Sequence, residues 1–329
     1  MTQSPLVPSP HGLSPARPSR LRVLMRAFAV LSCIPYLGLK IAWLSGSRIG
    51  IPEGSVLLDE PVTVAVANAV TVLMDGAVIV LALLLTQDWG RRVPAWLLAV
   101  PMWAAGGLLL PIMTSFPVQV LVQSVDGNGA EPSADDAFLD AWVFGVVYSG
   151  FIVQGLALGT LFVLYARDRW GHLWQGGLRD LPVSASGRPL KVLSTLAAVL
   201  VLFPVAMHLL WAFGATTGLP DGRVDKRAAD FYVLQGIDVL FLAAAVAGAL
   251  LLAFRRRGAL PLKAPLAMAW LGSGAVGCWG AWLLVASLLP TTEKGERATE
   301  LMTLTYAVSM IVGLLLVAGT ASLLRRRGA

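Results

Sequence analysis

The sequence predicts an all-α, polytopic membrane protein: eight transmembrane helices arranged as two parallel four-helix repeats, with both termini cytoplasmic. Three observations predict it. Of 329 residues, 57% are hydrophobic and only 13% charged, whereas a soluble chain needs about 25% charged residues to cover its surface. Eight stretches each supply the roughly 20 mainly apolar residues that cross a bilayer core of about 30 Å. The segment that closes the first stretch recurs, in the same order, at the end of the fifth.

Taken in order, residues 1–21 carry Pro5, Pro8, Pro10, Pro15 and Pro18 among serines and read as a disordered cytoplasmic tail. The spans follow at 23–45, 62–86, 95–118, 139–165, 192–214, 231–254, 265–290 and 301–324. The first run holds Lys40 and lacks a clear small-residue cleavage site, which argues against a signal peptide. Residues 22–166 make the first four-helix repeat, 167–191 a cytoplasmic linker and 192–329 the second repeat. Cys33 and Cys278 both lie in long apolar runs, so they are read as packing residues and not as a disulfide or metal site.

Basic residues fix the direction. Arg17, Arg20, Arg22, Arg26, Arg91, Arg92, Arg167, Arg169, Arg179, Arg188, Lys191, Arg255, Arg256, Arg257, Lys263, Arg325, Arg326 and Arg327 fall on one side. Only Arg48, Arg223, Lys226, Arg227, Lys294 and Arg297 fall on the other, so the positive-inside rule puts both termini in the cytoplasm of a multi-pass plasma-membrane protein. The net charge of +6 is thereby explained without nucleic acid. Acidic residues sort the opposite way, and two of them, Asp75 and Asp238, stay inside spans.

The internal repeat is the strongest motif. Residues 40–54 read KIAWLSGSRIGIPEG and 208–222 read HLLWAFGATTGLPDG, sharing W-x-x-G-x-x-x-G-[IL]-P-[DE]-G at an offset of 168. At an offset of 167, Asn68 meets Gln235, Pro94 meets Pro261, Trp103 meets Trp270 and Gly107 meets Gly274; at 158, Tyr148 and Gly155 meet Tyr306 and Gly313. Four plus four spans give the halves one orientation, with the pseudo-twofold axis along the membrane normal, as in parallel-repeat transporters. The paired Gly-x-x-x-Gly segments either let helix ends approach closely, break spans one and five before Pro52 and Pro220, or form a turn at the membrane surface.

Ionisable residues inside a membrane cost about 2.5–3.5 kcal/mol at a helix centre on insertion scales and are functional candidates by default. Asp75 and Asp238 are the candidate catalytic residues. Each shares a helix face with an amide, Asn68 and Gln235 respectively, while Lys40 and His208 occupy equivalent positions on spans one and five. Together these outline a polar cavity in the outer half of the bilayer. Bland readings stand beside them: Lys40 snorkels to the interface, His208 is a hydrogen-bonded core histidine, and Asp238 forms an ion pair between the halves with Lys40 or His208. Asp75 has no basic residue at its depth, and a carboxyl buried without a cation is most stable protonated, which makes it a candidate proton donor. Trp103, Trp279, Tyr148 and Tyr306 are deeper aromatics that complete the predicted substrate-binding set.

No metal or cofactor is expected. The outer acids Asp135, Asp136, Asp140, Glu296 and Glu300 are better explained as favourable charges near helix N-termini than as a divalent-ion cluster. G-x-x-x-x-G-K-[ST], H-E-x-x-H and G-x-S-x-G are absent, as are paired axial histidines. In its eight apolar spans, tryptophan-bearing repeats and intramembrane aspartates, the chain resembles actinobacterial eight-helix membrane proteins and the small integral-membrane terpene cyclases of meroterpenoid and indole-terpenoid pathways. The resemblance implies an enzyme acting on an apolar, isoprenoid-type substrate by acid-initiated, metal-independent cyclisation. A neutral carboxylic acid protonates an alkene or epoxide, and aromatic faces stabilise the carbocation. The alternatives are a proton-coupled transporter or exporter, with the aspartates as proton sites, and a non-catalytic accessory protein in which they only join helices. The expected partners are the lipid bilayer and an apolar small molecule.

Overall fold

The computed structural model describes residues 19–53, 55–58, 61–126, 139–182, 186–225, 227–254, 260–289, 295 and 297–328. Among them the chain is helical and without strands: α1 (Arg20–Leu31), α2 (Cys33–Leu44), α3 (Pro61–Leu84), α4 (Ala95–Asp126), α5 (Ala141–Trp170), α6 (Arg188–Leu200), α7 (Leu202–Ala212), α8 (Asp221–Asp225), α9 (Ala229–Phe254), α10 (Lys263–Leu288) and α11 (Glu300–Gly328). Eight segments are long and apolar enough to cross a membrane, with α1–α2 and α6–α7 each forming one of them. All eight predicted spans are present. The third and fourth run further than predicted, to Asp126 and Trp170.

Spans one and five are each broken near the middle, at Ser32 and Val201, which the sequence reading did not anticipate. The cause is a proline three residues after each break. Pro35 and Pro204 have no amide hydrogen to offer the carbonyls of Leu31 and Leu200, the last residues of α1 and α6. The repeated motif then ends each span in the same turn. Gly46 and Gly214 take left-handed backbone at φ 91° and 89°, where a Cβ would be strained. Ser47 N–H donates to Ala42 O at 2.9 Å and Ala215 N–H to Leu210 O at 2.9 Å, the six-to-one bond of a Schellman cap. The indole N–H of Trp43 donates to Ile49 O at 2.7 Å, and that of Trp211 to Thr217 O at 3.0 Å. Gly50 and Gly218, again left-handed, pack on Trp142 and Val143 at the start of α5 and on Leu301 at the start of α11. The motif therefore forms a turn after each span, and its second glycine also allows a close approach to another helix.

Small residues let α10 sit among α4, α9 and α11. Gly272, Ser273, Gly274, Ala275, Gly277 and Gly280 are all buried, so backbones approach closely without bulky side chains. Gly272 meets Ala245 of α9, Gly277 meets Gly313 of α11, and Gly274 meets Gly107 of α4. Gly107 and Gly274 are the two glycines that the 167-residue offset pairs. At the opposite face from the turns, Arg22 of α1 forms an ion pair with Asp168 of α5, and Tyr165 Oη donates to Gly90 O at 3.0 Å. The loops before α6 and before α10 join there through Leu178 N–H to Leu260 O at 3.1 Å and Leu262 N–H to Gly176 O at 3.0 Å.

Candidate functional site

The ten predicted site residues separate into three groups. The first lies within α2, α3 and α5. Asn68 and Asp75 stand seven residues apart on the buried face of α3, both only 4% exposed, while Val66, Leu73 and Val80 cover the opposite, exposed face. The two do not bond each other. Asn68 Oδ1 instead accepts from Lys40 Nζ at 2.8 Å, and that ammonium sits 4.7 Å from the ring centre of Tyr36 and 4.8 Å from that of Trp43. Lys40 is partly buried and held by an amide and two aromatic faces.

Asp75 Oδ1 accepts from Gln154 Nε2 of α5 at 3.2 Å, and the same Nε2 lies 3.3 Å from Cys33 Sγ. Asp75 Oδ2 is buried and has no hydrogen-bond partner among the described residues. A buried carboxyl oxygen without a partner is costly, about 1–3 kcal/mol for a neutral group and more for a charged one. Tyr148 is the hub of a ring cluster: Phe116 of α4 lies 4.8 Å away, Phe144 6.0 Å and Phe151 6.4 Å. Phe151 continues it to Tyr36 at 5.1 Å, edge to face. Rings and carboxyl thus share one side of α5, since Phe144, Phe151 and Gln154 fall on one face at helical spacing.

The second group lies in α7, α9 and α11. His208 Nδ1 is 2.8 Å from Gln235 Oε1 and 3.6 Å from Asp238 Oδ2, and the His208 ring meets Trp211 edge-on at 5.3 Å. The contact of a basic side chain with an amide in the first half, Lys40 with Asn68, therefore has its counterpart here in His208 with Gln235. Asp238 thus lies beside His208 within the second half and not across the halves, because α7 and α9 both belong to the second. Tyr306 Oη accepts from Arg223 of α8 at 3.3 Å.

The third group, Trp103 and Trp279, sits where α4 meets α10. Trp103 Nε1 donates to Ser273 Oγ and Trp279 Nε1 to Leu108 O, each at 3.1 Å. Their polar atoms join the two halves. Gln154, Cys33, Tyr36 and Phe151 belong to the first group and were not singled out from sequence as site residues. Gln154 was within reach of the rule that picked Asn68 and Gln235, an amide in the middle of a span, but no intramembrane carboxylate neighbours it along the chain. Among the described residues no three His, Cys, Asp or Glu side chains are placed to share a metal ion. Asp135, Asp136 and Glu296 fall outside the described residues, and Asp140 precedes α5, with its carboxylate 3.3 Å from Trp142 Nε1.

Fold and site together define a polytopic α-helical membrane protein with one cluster of polar side chains in each half. Comparison with protein-family models, curated proteins and solved structures finds no match to this chain.

Proposed function

We propose that the protein is an integral membrane enzyme, terpene cyclase-like, that acts on an apolar isoprenoid-type substrate by acid-initiated cyclisation. The observation that carries this reading is the environment of Asp75, one oxygen fixed by Gln154 and the other buried without a partner, beside a cluster of aromatic rings. Because Gln154 donates to Oδ1, the proton of the neutral carboxyl belongs on Oδ2. Oδ2–H protonates an alkene or epoxide: the acid O–H bond breaks as the alkene π pair forms a C–H bond, or as the epoxide oxygen gains the proton and its C–O bond opens, leaving a carbocation and the Asp75 carboxylate, which regains a proton when the cyclised cation loses one. Tyr36, Phe116, Phe144, Tyr148 and Phe151 offer π-faces to that cation. In membranes fed a prenylated substrate, Asp75→Asn lowers product formation by about 10²- to 10⁴-fold, the usual contribution of a positioned general acid. Full activity in Asp75→Asn sinks the reading.

The second reading is a proton-coupled transporter, supported by the matched contacts of Lys40 with Asn68 and His208 with Gln235. Uptake or export that persists after collapse of the proton gradient excludes it. Under either reading we infer two four-helix repeats, 22–166 and 192–329, in one orientation about an axis along the membrane normal. The duplicated turn and the Gly107–Gly274 approach support this arrangement. The excess of basic residues on the face bearing both chain ends supports a cytoplasmic location for the termini, and the plasma membrane is the proposed location.

A further inference from the structure

The hydrogen bonds around Asp75 continue beyond Gln154 into α2 and α1. Cys33 opens α2 immediately after the break at Ser32, and Cys33, Asp75 and Gln154 are all buried. Gln154 Nε2 lies 3.2 Å from Asp75 Oδ1 and 3.3 Å from Cys33 Sγ, so both of the hydrogen bonds that Gln154 makes among the described residues run through one nitrogen. The thiol in turn donates to Ala29 O at 3.2 Å, a carbonyl that also accepts from Ser32 Oγ at 3.1 Å.

Each bond in this chain has one sense. A peptide carbonyl only accepts, so the thiol hydrogen points at Ala29 and the sulfur turns its lone pairs to Gln154. In that state the sulfur can only accept, and the group facing it must be the NH2 end of the amide. The second hydrogen of the same nitrogen goes to Asp75 Oδ1. Turned over, the amide would set Oε1 against a sulfur with no hydrogen to offer and against a carboxyl that could satisfy it only by carrying its proton on Oδ1. The two orientations therefore place the proton of Asp75 differently. With nitrogen inward it stays on Oδ2; with oxygen inward it is captured on Oδ1 in a bond to the amide. The orientation of an amide is decided by its hydrogen-bond network, and the thiol supplies the deciding bond.

We propose that Cys33 is a positioning residue for Asp75: by accepting from Gln154 Nε2 it fixes the amide with its nitrogen toward the carboxyl, so that the acid's proton is held on Oδ2 and not drawn to the amide oxygen. This rests on the reading of Asp75 as a neutral proton donor. Serine suits the place nearly as well, since its hydroxyl bonds the carbonyl four residues back in a helix and keeps lone pairs for the amide. Alanine offers no acceptor, leaves a buried N–H unpaired and frees the amide to turn over.

The test is the infrared spectrum of the purified full-length protein in detergent at pH 5, where exposed carboxyls are ionised and a protonated acid shows a separate carbonyl stretch. Subtracting the spectrum of the same protein carrying Asp75→Asn isolates Asp75. In wild type the acid's C=O is Oδ1, which accepts from Gln154; in Cys33→Ala it becomes Oδ2, which accepts from nothing, so the band moves to higher frequency. Gln154→Leu marks the frequency of a carbonyl without a donor, and Cys33→Ser keeps the wild-type band. A purely structural role for Cys33 lowers thermal stability and leaves the band in place. A wild-type band that Cys33→Ala does not move overturns the positioning role and leaves the acid reading intact, as does a wild-type band already at the frequency of Gln154→Leu. Absence of any Asp75 band removes the neutral acid, and the positioning role falls with it. A band that moves as stated, in a protein that turns over no prenyl substrate, removes the cyclisation reading alone and supports the positioning role.

Discussion

The contact between Gly107 of α4 and Gly274 of α10 makes a quantitative prediction about how the two halves are joined. A Cβ added at Gly107 would lie 2.5 Å from the Gly274 carbonyl carbon and 2.9 Å from its Cα, where ordinary contact begins at 3.4 Å. These atoms are backbone and cannot rotate away, so the helices must part by about 0.9 Å, enough to forfeit a quarter to a half of the dispersion energy across the contact. Overpacking of this kind costs about 1–3 kcal/mol. The alanine returns up to about 1 kcal/mol of helix propensity, leaving Gly107→Ala destabilised by up to about 2 kcal/mol. Gly106→Ala, whose Cβ meets nothing within 4 Å, keeps the propensity gain and loses no packing. Gly274→Ala meets Trp103 O at 3.1 Å and Gly107 Cα at 3.2 Å, a milder clash, and falls between them. Unfolding of the purified protein in detergent, followed by circular dichroism against rising temperature, should rank the variants Gly106→Ala, Gly274→Ala, Gly107→Ala from most to least stable. Equal stability of Gly106→Ala and Gly107→Ala would refute this account of the interface.

Gln154→Leu removes the partner of Asp75 Oδ1 and lowers stability by about 1–3 kcal/mol, while adding Asp75→Leu recovers most of the loss, since removing both partners is nearly neutral; the same unfolding assay reads this. Trp43→Phe and Trp211→Phe each remove one indole-to-carbonyl bond and cost about 0.5–1.5 kcal/mol, and unequal effects would show that the two turns are not equally supported. For orientation, cysteine placed at the exposed Ser47 reacts with a membrane-impermeant maleimide in intact cells, and cysteine at the exposed Gln87 reacts only after lysis. The reverse pattern overturns cytoplasmic termini.

Hydropathy made the eight spans legible because span length is set by the bilayer and read by composition alone. The duplicated turn was legible because left-handed glycines and a capping tryptophan leave a spaced signature at 43–54 and 211–222. The mid-span breaks were not read, although Pro35 and Pro204 are plain in the sequence, since prolines are tolerated in membrane helices: α4 carries Pro101, Pro111 and Pro117 without interruption. Of the site, the sequence supplied the residues Asp75, Asn68, Lys40, His208, Gln235 and Asp238 but not who pairs with whom. Helical spacing favours partners on the same helix, so each amide was set beside its carboxylate, whereas each bonds the basic side chain of a neighbouring helix. Gln154 and Phe151 depend on how α5 lies against α2 and α3, which no spacing along the chain reports.

The two proline breaks divide each of spans one and five into an anchored piece and a carried piece. α1 is tied at Arg22 to Asp168, whereas α2 bears Lys40, Trp43 and the glycine turn as one unit; α7 likewise bears His208, Trp211 and its turn. Pro35 and Pro204 leave one backbone bond out of each ladder, so bending at Ser32 or Val201 stretches fewer bonds than bending elsewhere along these spans. Such a bend swings Lys40 relative to Asp75, or His208 relative to Asp238, as a lever whose fulcrum is built into the helix, while the packing of α10 on α4, α9 and α11 stays as it is.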